Sequence, residues 1–303
     1  MSDRHGLSTV LVAVDLSAVS DRLIGRAARL PLAKGARVVL LHVVPSGLAA
    51  KDRTLAKIDA RAALRAEVRS LEEQLPPGTR VTWRVAIGSP AAKICDVAAS
   101  VGAQLVVMGR GAGALSDVFL GSTAERVTRQ SALPVLVVRL AARGPYRRPA
   151  LAIELDGAAV RAASALLDVV SAPRGEVLVI HAHDAPYQGL MYPRLDGIQA
   201  SAYVERERQR AGRRVAALLA GVLERRKVPA SEAPAWRELL GYGSPRTVIL
   251  GAAQRERVDL LVLGTRGSSL LGRALLGTVA GDVLRAASCD VLVVPPSAPR
   301  AGG

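Results

Sequence analysis

"DLLVLGTRGSSLLGRALLGT", residues 259–278, joins a short apolar run to a loop framed by Gly264, Gly267 and Gly277 and closed by the hydroxyl of Thr278. The run has no polar alternation, so it reads as a strand covered on both faces, as in a parallel sheet. Gly264 and Gly267 permit positive φ and let backbone N–H groups approach an anion with no Cβ in the way. Gly277-Thr278 opens a helix whose free amides and dipole favour phosphate, and Thr278 adds a hydroxyl donor. A strand, a glycine loop and a helix in that order lie where open α/β sheets bind ligands, beyond the carboxyl ends of the strands. A plain turn and helix cap would use the same residue types.

Working outward, the chain is a duplication. "VLVAVDLS" from Val10 lies against "LAIELDGA" from Leu151, and "VVLLHVV" from Val38 against "VLVIHAH" from Val177. "GSPAAKICDVA" from Gly88 matches "GSPRTVILGAA" from Gly243, "GSTAERV" from Gly121 matches "GTVAGDV" from Gly277, and "VLVV" recurs at Val135 and Val291. The offsets are 141, 139, 155, 156 and 156 residues, which places an insertion, "APYQGLMYPRLDGIQASAY" (185–203), after the second strand of the second copy. It is expected to be a surface loop, with Tyr187, Met191 and Tyr192 available to cover a pocket.

In the first copy, apolar runs alternate with helical periodicity: strand 9–14, helix 18–33, strand 37–44, helix 51–75, strand 80–86, helix 90–101, strand 104–108, glycine loop, helix 122–131 and strand 134–139. The second copy repeats the pattern. The fold class is therefore α/β, with two tandem open five-stranded parallel sheets flanked by helices. The expected division is 1–140, a polar linker 141–149 carrying Pro145 and Pro149, a second domain 150–295, and a disordered tail 296–303. Each copy ends on a strongly apolar strand, "LPVLVVRL" and "CDVLVVPP". These strands are expected to pair and hide each other's edge in a pseudo-symmetric unit.

The chain has 303 residues, half of them apolar, and a net charge of +15. No apolar run reaches the roughly 20 residues needed to cross a bilayer, and the N-terminus has no signal-peptide pattern. A cytoplasmic chain without a membrane partner is expected. The charge invites nucleic acid, but only 3% of residues are aromatic, which leaves few stacking platforms, and the cations are dispersed, most of them on what read as solvated helix faces. Cys95 and Cys289 lack metal-ligand spacing and read as buried free thiols.

With these landmarks in place, the second half resembles a universal stress protein domain, whose nucleotide signature G-x2-G-x9-G-[ST] is matched without a gap by Gly264, Gly267, Gly277 and Thr278. The first-strand aspartates Asp15 and Asp156, the "LHVVP" strand end and the Gly-Ser-Pro turns extend the resemblance over both halves. It implies a five-stranded parallel sheet per domain and, in the nucleotide-binding branch, ATP, with magnesium reached only through the phosphates. Carried over by position, the second half offers Asp156, Ala182, Leu263, Gly264, Arg266, Gly267, Gly277, Thr278 and Val279. The first offers Asp15, Val43, Met108, Gly109, Gly111, Gly121, Ser122 and Thr123. Its loop is one residue short, with Arg110 alone between Gly109 and Gly111, and Gly113 is placed to absorb the slack. In this alignment Glu154 stands opposite Ala13, so a second carboxylate enters the adenosine side of the pocket and needs Arg266 or a cation to offset it.

No catalytic apparatus is visible: neither G-x-x-x-x-G-K-[ST] nor G-x-S-x-G occurs, and His5, His42, His181 and His183 show no metal spacing. The expected function is an ATP-binding regulatory protein of the stress response, with an unidentified protein partner and room for a homodimer. The other readings are a non-nucleotide interaction protein on the same scaffold, or a slow ATPase or autophosphorylating protein with Ser122 or Thr278 as acceptor.

Overall fold

The computed structural model describes residues 6–17, 20–111, 121–154, 156–183, 197–265 and 277–296. The first half runs β1 (Leu7–Ala13), α1 (Ser20–Ala27), β2 (Leu32–Val44), α2 (Ala50–Glu72), β3 (Arg80–Ile87), α3 (Pro90–Ser100), β4 (Leu105–Gly109), α4 (Ser122–Gln130) and β5 (Val135–Val138). The second runs β6 (Pro149–Ala152), α5 (Gly157–Val169), β7 (Glu176–His183), α6 (Gly197–Arg225), β8 (Ala235–Tyr242), α7 (Pro245–Arg255), β9 (Leu260–Gly264), α8 (Thr278–Ala286) and β10 (Asp290–Val294).

The strands form one ten-stranded sheet in the order β3-β2-β1-β4-β5-β10-β9-β6-β7-β8. Each half contributes five parallel strands. The halves join where β5 and β10 run antiparallel, Val137 facing Val291 and Val135 facing Val293, so the two apolar last strands cover each other. Successive strand residues point to opposite faces. Val10 and Val12 enter a core under α1, α2, α5 and α6, while Leu11 and Ala13 enter a second core under α3, α4, α7 and α8. Burial on both sides is why the strands lack polar alternation.

Three expectations are corrected. The helix placed at 18–33 is α1 alone: the chain closes in a tight turn, Leu30 N donating to Ala27 O at 3.3 Å, and Pro31, which has no N–H, leads into β2 at Leu32. The insertion is not wholly a loop, because its last residues, from Gly197 to Tyr203, open α6, which runs 29 residues against 23 in α2. Tyr187, Met191 and Tyr192 lie outside the described residues.

The third correction concerns the first strand. Leu11 sits between Val39 and Val106, and Ala150 between Leu178 and Leu261. The copies therefore differ by 139 residues at the first strand, as at the second, and not by 141. Side-chain bonds agree: His42 Nδ1 lies 2.9 Å from Val14 O, and His181 Nδ1 lies 3.0 Å from Ile153 O. Asp15 is thus matched by Glu154, and Ser17 by Asp156.

The connection between the halves is not a free polar tether. Tyr146 is buried, and its hydroxyl donates to Asp290 Oδ2 at 2.7 Å. Asp290 Oδ1 accepts from the Arg139 and Leu140 amides at 2.7 and 2.9 Å, and the Arg26 Nε lies 3.1 Å from Oδ2. Asp259 accepts from the Arg147 and Arg148 amides at 2.7 and 3.0 Å. Not all cations are solvated, since Arg26, Arg139 and Arg174 are buried. Arg174 donates to the Glu232 and Leu167 carbonyls at 2.9 and 2.7 Å.

Candidate functional site

Each half opens a cavity at the carboxyl ends of its strands. In the second half its volume is about 460 Å³, and it is lined by Asp156, Ala182, Leu263, Gly264, Gly277, Thr278 and Val279, together with Glu154. Every expected residue of this site that is described lies on this wall. Arg266 and Gly267 fall outside the described residues. In the first half the volume is about 180 Å³, and Asp15, Val43, Met108, Gly109, Gly111, Gly121, Ser122 and Thr123 all line it. The walls correspond position by position under the corrected register. Ala152 takes the place of Ala13, Ile153 of Val14, Glu154 of Asp15, Pro245 of Pro90 and Ile249 of Ile94.

Two side chains on the described wall are smaller in the second half. Val43 becomes Ala182. Leu23 of α1, which lines the smaller cavity, corresponds to Ala162 of α5, and Ala158 and Ala159 of the same helix line the larger one. Only the larger falls within the ~300–1,000 Å³ usual for small-molecule sites.

The two acidic positions do different work. Asp156 caps α5, its Oδ1 accepting from the Ala158 and Ala159 amides at 2.9 and 3.3 Å. That carboxylate holds a helix terminus, the ordinary task of an N-cap aspartate. In the first half Ser17 stands at the matching position and donates to Asp15 Oδ1 at 2.7 Å through its hydroxyl and 3.1 Å through its amide. The carboxylate on the first-strand position is Asp15 in one cavity and Glu154 in the other. Sequence matching paired Asp15 with Asp156 because two acidic residues lie two apart; only the strand pairings separate them.

At the loop end of each cavity, α8 starts after Gly277 and α4 after Gly121, and among the described residues neither helix has a side-chain cap bond. The first-turn amides are therefore available to an anion. Gly264 is required by close approach: a Cβ there would sit 2.8 Å from Ala158 O and 2.9 Å from Ala158 Cβ. In the first half the base of the loop is drawn shut. The Gly121 amide donates to Arg110 O at 2.8 Å, a Cβ on Gly121 would stand 2.4 Å from that oxygen, and Gly111 has φ +100°. Gly113 lies outside the described residues. These groups fit an adenine nucleotide in the second cavity, with apolar walls for a base, a carboxylate for hydroxyl donors and an uncapped helix start for phosphate.

His42 and His181 each turn Nδ1 to a backbone carbonyl, which can only accept, so that nitrogen carries the proton and both rings are held structurally. Among the described residues no group of His, Cys, Asp or Glu is arranged to hold a metal ion, and no helix is long and apolar enough to cross a membrane. Burial, then the nearby Asp290, pushes the Cys289 thiol up to about 12.

Comparison with known proteins agrees with this architecture. A universal stress protein of Mycolicibacterium smegmatis is 28% identical over 95% of this chain and 97% of its own length. One from Thermus aquaticus is 31% identical over 48% of this chain and 95% of its own length, the size of a single repeat. The crystal structure of a universal stress protein from Archaeoglobus fulgidus superposes with a TM-score of 0.62 at 18% identity, covering 94% of this chain and 95% of that one, which speaks to the fold. The sequence profile of the Universal stress protein family matches twice, over residues 6–139 and 145–295, and the chain belongs to that family.

Proposed function

We propose that this chain is an ATP-binding regulatory protein of the stress response, working in the cytoplasm as two domains, 1–140 and 150–295, joined by 141–149. ATP occupies the second cavity. The observation that carries this reading is the pairing of a cavity of about 460 Å³ with the uncapped start of α8 and the backbone approach at Gly264. Glu154, at the position of Asp15, accepts hydrogen bonds from the ribose-side hydroxyls, and Asp156 keeps α5 in place. Gly277, Thr278 and the amides behind them receive the phosphates, with Arg266 and Gly267 completing the loop and magnesium held through the phosphates alone. The first domain, with its smaller cavity and the Gly121 amide already engaged, serves as a structural copy that leaves its own site unfilled.

ATP acts here as a ligand and not as a fuel: of the described carboxylates on the cavity wall, Glu154 is assigned to the ribose side and Asp156 caps α5. It shifts partner affinity through differential binding to two states of the protein. The test is to purify the protein without added nucleotide, denature it and identify released small molecules by mass and absorbance. Adenine nucleotide near one equivalent per chain supports the reading. Release of none, with no uptake of ATP by the purified protein, would assign the scaffold to nucleotide-independent interaction. Sustained phosphate release abolished by Thr278→Ala would assign it to hydrolysis.

A further inference from the structure

Helix α2 has two apolar stripes. Ala60, Leu64 and Leu71 are buried against the sheet. At 100° per residue, Leu55, Ile58 and Ala62 fall on the opposite side, and they are exposed. Leu55 is 52% and Ile58 56% exposed, and Leu48, just before the helix, is 39% exposed. Large apolar side chains collected on one outward face mark an interaction surface.

The second copy shows that the fold does not require this face. On α6 the buried stripe is Val215, Leu219 and Val222, and at 100° per residue Arg210 and Arg213 fall on the opposite side. Both arginines are exposed. The outward face of the corresponding helix thus carries charge in one copy and aliphatic carbon in the other.

The apolar face is bordered by cations. Between Lys51 and Arg69 there are six basic residues against Asp52, Asp59 and Glu67. Lys51, Arg61, Arg65 and Arg69 are exposed, and none makes an ion pair among the described residues. Helix α2 packs over β2 and β3, and β3 ends the sheet, so this face lies at one extreme of the molecule. Arg65 lies over the Trp83 ring, 5.9 Å from its centroid. Exposed Leu and Ile beside Lys and Arg that make no ion pair among the described residues is a composition that rests in a lipid headgroup region. A second copy docking the same patch would gather both sets of cations into one small interface, which opposes self-association.

We propose that the outward face of α2 docks onto an anionic lipid surface, Leu55 and Ile58 entering the headgroup boundary while Lys51, Arg61, Arg65 and Arg69 meet the lipid phosphates. This rests on the surface of α2 and stands whether or not the second cavity holds ATP. The test is co-sedimentation of the full chain with vesicles of phosphatidylglycerol and phosphatidylcholine, against pure phosphatidylcholine, at several salt concentrations. Binding to the anionic vesicles that weakens with salt is expected. Lys51→Gln with Arg61→Gln should lower the partition coefficient about 25-fold, from roughly 5-fold for each cation lost. Leu55→Ser with Ile58→Ser should lower it at every salt concentration, with an unchanged melting temperature showing that the fold survives. Arg210→Ser with Arg213→Ser on α6 should change only the salt-dependent part. Absence of binding, equal binding to neutral vesicles, or binding untouched by the α2 variants would overturn the proposal. So would a concentration-dependent dimer, or binding to single-stranded oligonucleotide without vesicle binding, abolished by the same variants.

Discussion

Replacing Asp290 by alanine tests how the two halves are held in one sheet. The carboxylate is fully buried and receives two backbone amides and the Tyr146 hydroxyl, with Arg26 ion-paired beside it. Arg26 is itself 4% exposed, and its guanidinium lies 3.9 Å from the centroid of the Tyr146 ring. Removing the acid leaves a buried cation without its counter-charge, a loss of about 3–5 kcal/mol where one partner of a buried pair is deleted. Three donors also lose their acceptor, so about 4 kcal/mol is a conservative expectation. At roughly 2–4 °C per kcal/mol for domains of 150–250 residues, the melting temperature should fall by about 8–16 °C. Differential scanning calorimetry and urea unfolding should agree. Adding Arg26→Met should recover part of the loss, because the stranded charge is then gone. A loss below about 1 kcal/mol, or no recovery in the double variant, would show that this cluster does not hold the halves together.

Stability should decline above pH 9 as the unfolded chain ionises its thiols and the folded chain does not. Cys289 is raised to about 12, so its contribution is present below pH 9 and is lost as pH rises to about 12; Cys289→Ala should flatten that part of a stability-against-pH curve. Arg257 closes α7 at φ +50° where the first copy has Gly102 at φ +64°; Arg257→Gly should stabilise by about 1 kcal/mol in urea unfolding and Gly102→Ala should destabilise by a similar amount. Gly264→Ala places a Cβ 2.8 Å from Ala158 O and should abolish ATP uptake by displacing β9 from the start of α5, measured by calorimetry.

The duplication, the alternation of strands and helices within each copy and the pairing of the last strands were legible in the sequence because buried parallel strands are written as uninterrupted aliphatic runs. The first-strand register was not. "AVDLS" and "IELDG" align most simply aspartate to aspartate, and the true equivalence of Asp15 with Glu154 is visible only when Leu11 and Ala150 are seen between their neighbours. Burial of the connection was hidden for a related reason. "RGPYRR" is polar in composition, and the buried partner of both Tyr146 and Arg26 is Asp290, 144 residues away from the tyrosine. The glycine signature lies at both cavities, but their walls also differ at Leu23 and Val43 against Ala162 and Ala182, residues that a motif does not weigh.

The most direct test of the account is isothermal calorimetry of ATP on the wild-type chain, Glu154→Gln and Asp156→Asn. Asparagine preserves the α5 cap, and glutamine removes the charge from the position that matches Asp15. Loss of a hydrogen bond to a charged group, about 1.5–3 kcal/mol, predicts affinity lowered roughly 10- to 150-fold in Glu154→Gln and almost unchanged in Asp156→Asn. Affinity lost in Asp156→Asn and retained in Glu154→Gln would contradict the register-based assignment, and absence of ATP binding by the wild-type chain would contradict the assignment of this cavity to nucleotide.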